Sequence, residues 1–419
     1  MKRDICLLVL ILSALAFAGC NRDFSPVSPG HILRPLTPEE KQLAKRHTNF
    51  SWKLFKSISL GENQNVIVSP LSVAFSVAMV LNGAKGETRQ SILETLGLGG
   101  LSMEQINSSF SGLFKLLVSM DPNVQMEIAN SVWYRKGLNV ERVFINRLHT
   151  FFQAEIQALN FDDPLAVRVV NRWVEEKTHG KIKRIVDRFD GVDMMCLMNA
   201  LYFKAMWTIQ FDKQDTKNDT FTIKPGRSIA VKMMSVINDF EYTETALFQA
   251  INLPYGSRHF RMTILLPKEG IPVDSVIARL STSAWEQWQA SMKQMRGWVK
   301  MPKFKETYKK SLVEPLAQLG MKICFTPQKA DFSGITTQKE LYISEVLHKT
   351  FVAVDEEGTE AAAVTATTLT TVSFPTPDIR FTMNVNRPFL FVIWDHYTRS
   401  VLFAGKMVRP IFNEERTEQ

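Results

Sequence analysis

One stretch near the C-terminus has residue types and spacing that call for a chemical explanation. Asp355-Glu356-Glu357-Gly358 is acidic and ends in glycine, and from Ala361 to Pro377 no residue carries a charge. The residues there are mostly Ala and Thr, with Val364, Leu369, Val372 and Phe374 the only large apolar side chains. As a buried strand it would remove little apolar area from water, at about 25 cal/mol per Å². As an exposed loop it is uncharged and has no proline before Pro375, so it is free to pair as a strand. Strand alternation puts Thr359, Ala361, Ala363, Thr365, Thr367, Leu369 and Thr371 on one face, all small or uncharged except Leu369. Glu360, the only charge, falls on the other face. Two readings stand side by side: an ordinary alanine/threonine surface loop, or a segment whose chemistry is to add itself to a sheet.

Familiar enzyme constellations are missing. The chain has no Gly-x-Ser-x-Gly elbow, no His-Glu-x-x-His, no Cys-x-x-Cys pair and no Gly-x-x-x-x-Gly-Lys phosphate loop. Gly97-Leu98-Gly99-Gly100 lacks the dinucleotide spacing and reads as a helix end. His348, among Val346, Leu347 and Phe351, reads as a hydrogen-bonded core histidine. A triad built from distant residues stays open on spacing alone, but the chain is read as a non-enzyme without metal or cofactor. Cys196 and Cys324 are too far apart in sequence for a zinc knuckle; they read as two buried free thiols, with one disulfide as the alternative.

At 419 residues, with 28 Phe and 8 Trp, the chain can bury a large core, which excludes a mostly disordered protein. Its net charge of +8 is thinly spread, with no Lys/Arg stripe alternating with aromatics, so nucleic acid is not an expected partner. The first residues read as a sorting signal. Lys2 and Arg3 precede an apolar run, Ile5 to Ala18, whose length of about fourteen residues suits a signal peptide and is too short to span a membrane. It ends in Phe17-Ala18-Gly19-Cys20, which resembles the bacterial lipoprotein box, with Phe17 where an aliphatic is usual. Residues 1–19 are therefore read as the leader and Cys20 as the lipidated residue. The other reading is an ordinary secretory signal with an incidental cysteine. Residues 20–40, rich in Ser, Pro and Gly, read as a flexible tether.

Residues 41–412 read as one α+β domain, and 413–419 as a tail. Helices are expected from Pro38-Glu39-Glu40, from Ser69-Pro70-Leu71-Ser72 towards Asn82, and over 164–179 with Gly180 near its stop. Strands are expected at Met126–Tyr134, Ala154–Asn160, Leu197–Phe203, Phe260–Leu266, Phe389–Trp394 and Ser400–Ala404.

Glu356-Glu357-Gly358-Thr359-Glu360-Ala361-Ala362-Ala363 resembles the hinge of inhibitory serpins, the serine protease inhibitor superfamily. Asn386-Arg387-Pro388-Phe389-Leu390-Phe391 is similar to that family's C-terminal signature. Asn65 to Ser72, Asn171-Arg172-Trp173-Val174 with Thr178 and Lys181-Ile182, and Asn199 to Trp207 resemble further family segments in the right order. The resemblance implies a single domain with three sheets, eight or nine helices and an exposed reactive-centre loop. It also implies a suicide-substrate mechanism, in which a protease cuts the loop and the acyl-enzyme is trapped as the loop inserts into the main sheet.

By resemblance, Ser69, Ser72, Asn199 and His348 match the polar cluster where the central strands part, and Trp207 the tryptophan near the insertion point; plain core packing is the alternative for all five. Counting from Gly358 at the family's spacing places the bait bond at Val372-Ser373, with Thr371 and Ser373 as the near alternatives; Phe374 would suit a chymotrypsin-like pocket, but the Pro375 that follows hinders cleavage there. A small β-branched side chain suits an elastase-like serine protease. The expected partners are that protease, covalently bound, and a cell-envelope membrane through Cys20; the chain is expected to be exported and monomeric. A non-inhibitory serpin that binds or carries a ligand is the other reading. Ser102 to Leu117 carries only Lys115 as a base, so a heparin-type helix is not expected. Lys293, Arg296, Lys300, Lys303, Lys305, Lys309 and Lys310 form either a polyanion site or a solvated strand edge.

Overall fold

The computed structural model describes residues 33–191, 193–337, 341–359 and 378–412. The leader, Cys20, Glu360, Ala361, Ala362, Ala363, Val372, Ser373 and the 413–419 tail lie outside the described residues.

The helices start where capping residues and prolines say they should. Thr37 caps α1 (Pro38–Ser59): its hydroxyl accepts from the Glu40 N–H while the Glu40 carboxylate accepts from the Thr37 N–H. Arg34 grips the same carboxylate at 2.6 and 2.7 Å. The expected tether is therefore too long at its end, because Pro38, Glu39 and Glu40 form the first turn of α1. After β1 (Val66–Val68), Ser69 caps α2 (Pro70–Leu81). Next come α3 (Gly86–Leu96), α4 (Met103–Ser119), β2 (Val124–Arg135), α5 (Arg142–Phe152), β3 (Glu155–Leu159) and α6 (Pro164–Lys177). As expected, Gly97 ends α3, in the left-handed conformation at φ 70° that a side chain would resist.

The chain continues through β4 (Met195–Met206), β5 (Lys217–Lys224), β6 (Arg227–Glu244), β7 (Phe248–Pro254) and β8 (Phe260–Pro267). Two short helices follow, α7 (Val273–Ile277) and α8 (Thr282–Ala290), then β9 (Lys293–Pro302), β10 (Phe304–Ser311) and α9 (Val313–Leu316). The last strands are β11 (Leu347–Val354), β12 (Gly358–Thr359), β13 (Phe381–Asn384), β14 (Phe389–Asp395) and β15 (Val401–Met407). All the helices and strands expected from the sequence are present, within a few residues at their ends.

The α+β class holds, with nine α-helices among the described residues. The expected three sheets form two continuous ladders. A six-stranded sheet runs β10-β11-β12-β4-β2-β3, and a nine-stranded one runs β1-β15-β14-β8-β7-β6-β9-β13 with β5 beside β6. The merger is the work of β6. Its 18 residues pair first with β5, then with β9 over Met233–Tyr242, and finally with β7. Two apolar layers sandwich the six-stranded sheet. α2 is buried almost all round and belongs to the main core, which includes Phe203 and Ala205 of β4. On the opposite face α6 packs Val170, Trp173 and Val174 against Trp133, Met198 and Ala200, with Leu347 and Phe351 of β11 touching the same cluster.

Candidate functional site

The middle of the six-stranded sheet is incomplete. β4 has twelve residues and β11 has eight, yet among the described residues the only strand between them is the two-residue β12. Gly358 pairs with Met206, Thr359 pairs with Ala205 on one side and Val354 on the other, and all these pairings are antiparallel. Among the described residues no ladder joins β4 directly to β11. Among the described residues, β4 and β11 below Thr359 thus carry no ladder on the edge that pairs with β12, the kind of edge an extended segment completes.

The sequence ahead of β12 explains how it is held. Asp355 accepts from the N–H groups of Glu357 (3.0 Å) and Gly358 (3.2 Å), closing the turn from β11. Burial pushes the Asp355 carboxyl upward, against those two hydrogen bonds. Gly358 is needed for close approach, since a Cβ there would fall 2.1 Å from the Ala205 carbonyl oxygen. Glu356 is buried, and burial alone would raise it. The Lys303 ammonium at 2.8 Å and the Thr216 hydroxyl at 2.7 Å outweigh that and hold it below the usual carboxylate range. Lys213 pairs with Glu357. Trp207 donates its Nε1–H to the Asp355 carbonyl and its backbone N–H to that of Glu357. Its ring stacks on Tyr255 with centroids 4.3 Å apart, and the Tyr255 hydroxyl meets Thr359 Oγ1 at 2.6 Å. Thr359 is only 2% exposed.

Lower down, the expected polar cluster divides between the two sides of the gap. On the β11 side, His348 Nε2 accepts from the Ser69 N–H at 3.0 Å, and Ser69 Oγ accepts from the Ser72 N–H. Burial pushes His348 down to about 4, so it is neutral at pH 7. On the β4 side, Asn199 donates to Asn130 Oδ1 at 2.6 Å, and Asn130 donates to the Phe152 carbonyl. The Asn199 Oδ1 atom is buried and has no hydrogen-bond partner. Ser69, Ser72 and His348 thus come together, Asn199 stands across the gap from them, and Trp207 belongs to the top of the sheet with the hinge. His348 is also the hydrogen-bonded core histidine read from its neighbours.

Several members of this site went unseen in the sequence: Tyr255, Thr216, Lys303 and Asn130. None carries a local signal, because each meets the site from a distant part of the chain. The basic run over residues 293–310 is largely spoken for: Lys303 pairs with Glu356, Lys309 with Asp187, Lys310 with Glu62 and Arg296 with Asp239. The solvated-edge reading describes it. Cys196 and Cys324 are free thiols, Cys324 buried and Cys196 half-buried and pushed up to about 12 by desolvation. Among the described residues no cluster of His, Cys, Asp and Glu is placed to hold a metal ion, and no helix is long and apolar enough to cross a membrane.

Comparison with known proteins gives the same picture. The family model described as serpin (serine protease inhibitor) matches residues 45–410. An uncharacterised serpin-like protein of Thermococcus kodakarensis is 34% identical over 98% of this chain and 99% of its own length. The native structure of tengpin, a thermophilic serpin, superposes with a TM-score of 0.81 at 32% identity, covering 91% of this chain and 96% of tengpin. Human thyroxine-binding globulin, solved in complex with its hormone, has a TM-score of 0.81 at 27% identity, covering 89% of this chain and all of that one. The family is one of protease inhibitors rather than catalysts. With a matching family model across most of its length, and relatives that match in sequence and in fold, the chain belongs to the serpin family of serine protease inhibitors.

Proposed function

We propose that this serpin is an inhibitory one, a suicide substrate for an elastase-like serine endopeptidase. The observation that carries this reading is the seat of Gly358–Thr359 between β4 and β11, with no ladder between those strands beyond it among the described residues. The protease serine attacks the Val372 carbonyl carbon, the Val372–Ser373 peptide bond breaks, and the new amine of Ser373 leaves with a proton. The acyl ester stays on Val372. The freed segment then continues β12 down the gap, carrying the protease with it before water can cleave the ester.

The energetics favour this outcome. An added strand of about a dozen residues gains hydrogen bonds on both edges, at a net ~0.5–1.5 kcal/mol each. The side chains that must enter the core face, Thr359, Ala361 and Ala363, are small and uncharged. The hinge residues Glu357 to Ala363 and the cluster of Ser69, Ser72, Asn199, Trp207 and His348 are the machinery of this reading. We further propose export with lipid attachment at Cys20 to a bacterial envelope membrane. The likeness to thyroxine-binding globulin supports a second reading, a non-inhibitory serpin that binds or carries a ligand.

Incubation with an elastase separates the two. The inhibitory reading expects a complex stable in SDS and a new N-terminus at Ser373. Cleavage without a complex supports the carrier, and a cut outside 370–374 refutes the bait placement.

A further inference from the structure

The register of β12 dictates where each following residue would lie in a continued strand. Gly358 opposes Met206 and Thr359 opposes Ala205 on β4, while Thr359 opposes Val354 on β11. Extended without a bulge, residue 365 falls between Asn199 and His348, and residue 369 falls between Met195 and Ser344. The side of the sheet is fixed as well. Thr359 faces the core through Tyr255, so the odd-numbered residues after it face the core too.

At the level of residue 369, on that core side, lies a partly open pocket of about 110 Å³, mostly apolar but with Ser76, Ser344 and Glu345 also in its lining. Val77 and Val80 of α2, Met195 at the start of β4, Phe332, Ile335 and Ile343 line it. Its volume leaves room for a large apolar side chain. Leu369 is the only large apolar side chain among the core-face residues from Thr359 to Thr371. The same number of residues separates Thr359 from Leu369 as separates Met195 from Ala205, so the continued strand arrives without slack. A second feature agrees with this register. The buried, unpartnered Asn199 Oδ1 lies at the level of Thr365, whose hydroxyl can donate to it.

We infer that the cavity between α2, the start of β4 and the segment before β11 is a socket for Leu369, filled when the cut loop inserts. This rests on the insertion reading above. Leu369 lies three residues before the proposed acyl bond, so its seating holds the strand end to which the protease is attached. It is a positioning residue: it touches no reacting atom, and it sets how firmly the last part of the strand is kept.

The test compares wild type, Leu369→Ala and Leu369→Met, each intact and each cut between 370 and 377 by a serine protease, with the cut mapped by mass spectrometry. Guanidinium midpoints and the fraction of encounters ending in an SDS-stable complex are measured. The socket predicts equal midpoints for the three intact proteins. It predicts a lower midpoint for cut L369A than for cut wild type and a several-fold smaller complex fraction, with both restored in L369M. If cut L369A matches cut wild type while both exceed the intact proteins, the socket is refuted and insertion stands. If cut wild type gains nothing over intact, insertion fails and the socket fails with it. An intact L369A midpoint below wild type places the residue's role in the uncut protein and also overturns the proposal.

Discussion

The Tyr255 hydroxyl and Thr359 Oγ1 lie 2.6 Å apart in a fully buried setting, and this contact fastens the first pair of an unfinished strand to the core. Burial holds the Tyr255 phenol well above its ordinary range, so it stays neutral and able to donate. Trp207, stacked on the same ring, ties the contact to the backbone of the turn at Asp355 and Glu357. The hinge is thus a strand already begun.

Thr359→Arg should turn the inhibitor into a substrate. A guanidinium at this 2%-exposed position would have to be buried between β4 and β11. Burying a charge without a matched partner costs several kcal/mol, so insertion would stall while the protease still finds its bond. Gel analysis with an elastase should show cleaved T359R and no stable complex; undiminished complex formation would mean that the loop does not enter through this gate.

Stability on the acid side should depend on His348. Burial pushes His348 to about 4 from an ordinary 6.5, as it does His47, and His396 is lowered likewise with Arg261 and Arg399 adding to the effect. Between pH 6.5 and 4 the unfolded chain binds more protons at these groups, so stability falls as pH drops through that window. Asp395, raised to about 6 by burial, and Asp355, raised in the same way, act with the opposite sign and lose their contribution as pH rises. The difference between wild type and His348→Gln isolates one histidine, and an amide oxygen can still accept from Ser69. The variant should lose less stability between pH 6.5 and 4, by up to roughly 3 kcal/mol. Parallel pH profiles in thermal melts would contradict this.

Attachment through Cys20 makes a separate prediction. In a bacterial host, Cys20→Ser should abolish labelling of the protein by radioactive palmitate and move it from the membrane pellet to the soluble fraction, since stable anchoring needs more than one acyl chain. Unchanged pelleting and an unlabelled wild type would leave Cys20 an incidental cysteine after an ordinary leader.

Much of this architecture was legible because it is written in short-range chemistry. Pro38 with Glu39 and Glu40, Ser69 before Pro70, and Gly97 at a helix end are local signals, and the starts of α1 and α2 and the end of α3 were read from them. The apolar runs of β8, β14 and β15 announced buried strands. The merging of two expected sheets did not show, because β6 changes partners midway, and nothing in its residues marks where it passes from β5 to β9 and then to β7. Nor did the hinge's anchors. Thr359 meets Tyr255 and Glu356 meets Lys303 across long stretches of chain, and periodicity reports which face a residue takes, not whom it meets. His348 was legible as a core histidine from its neighbours, but its hydrogen bond to the Ser69 backbone was not.

The most direct trial of the central claim is the melting temperature of the protein before and after a single cut in the 370–374 stretch. If the severed segment becomes the missing strand between β4 and β11, the cut protein should melt higher by roughly 15 °C or more, given the hydrogen bonds gained. An unchanged or lowered melting temperature in the cut protein would contradict the account.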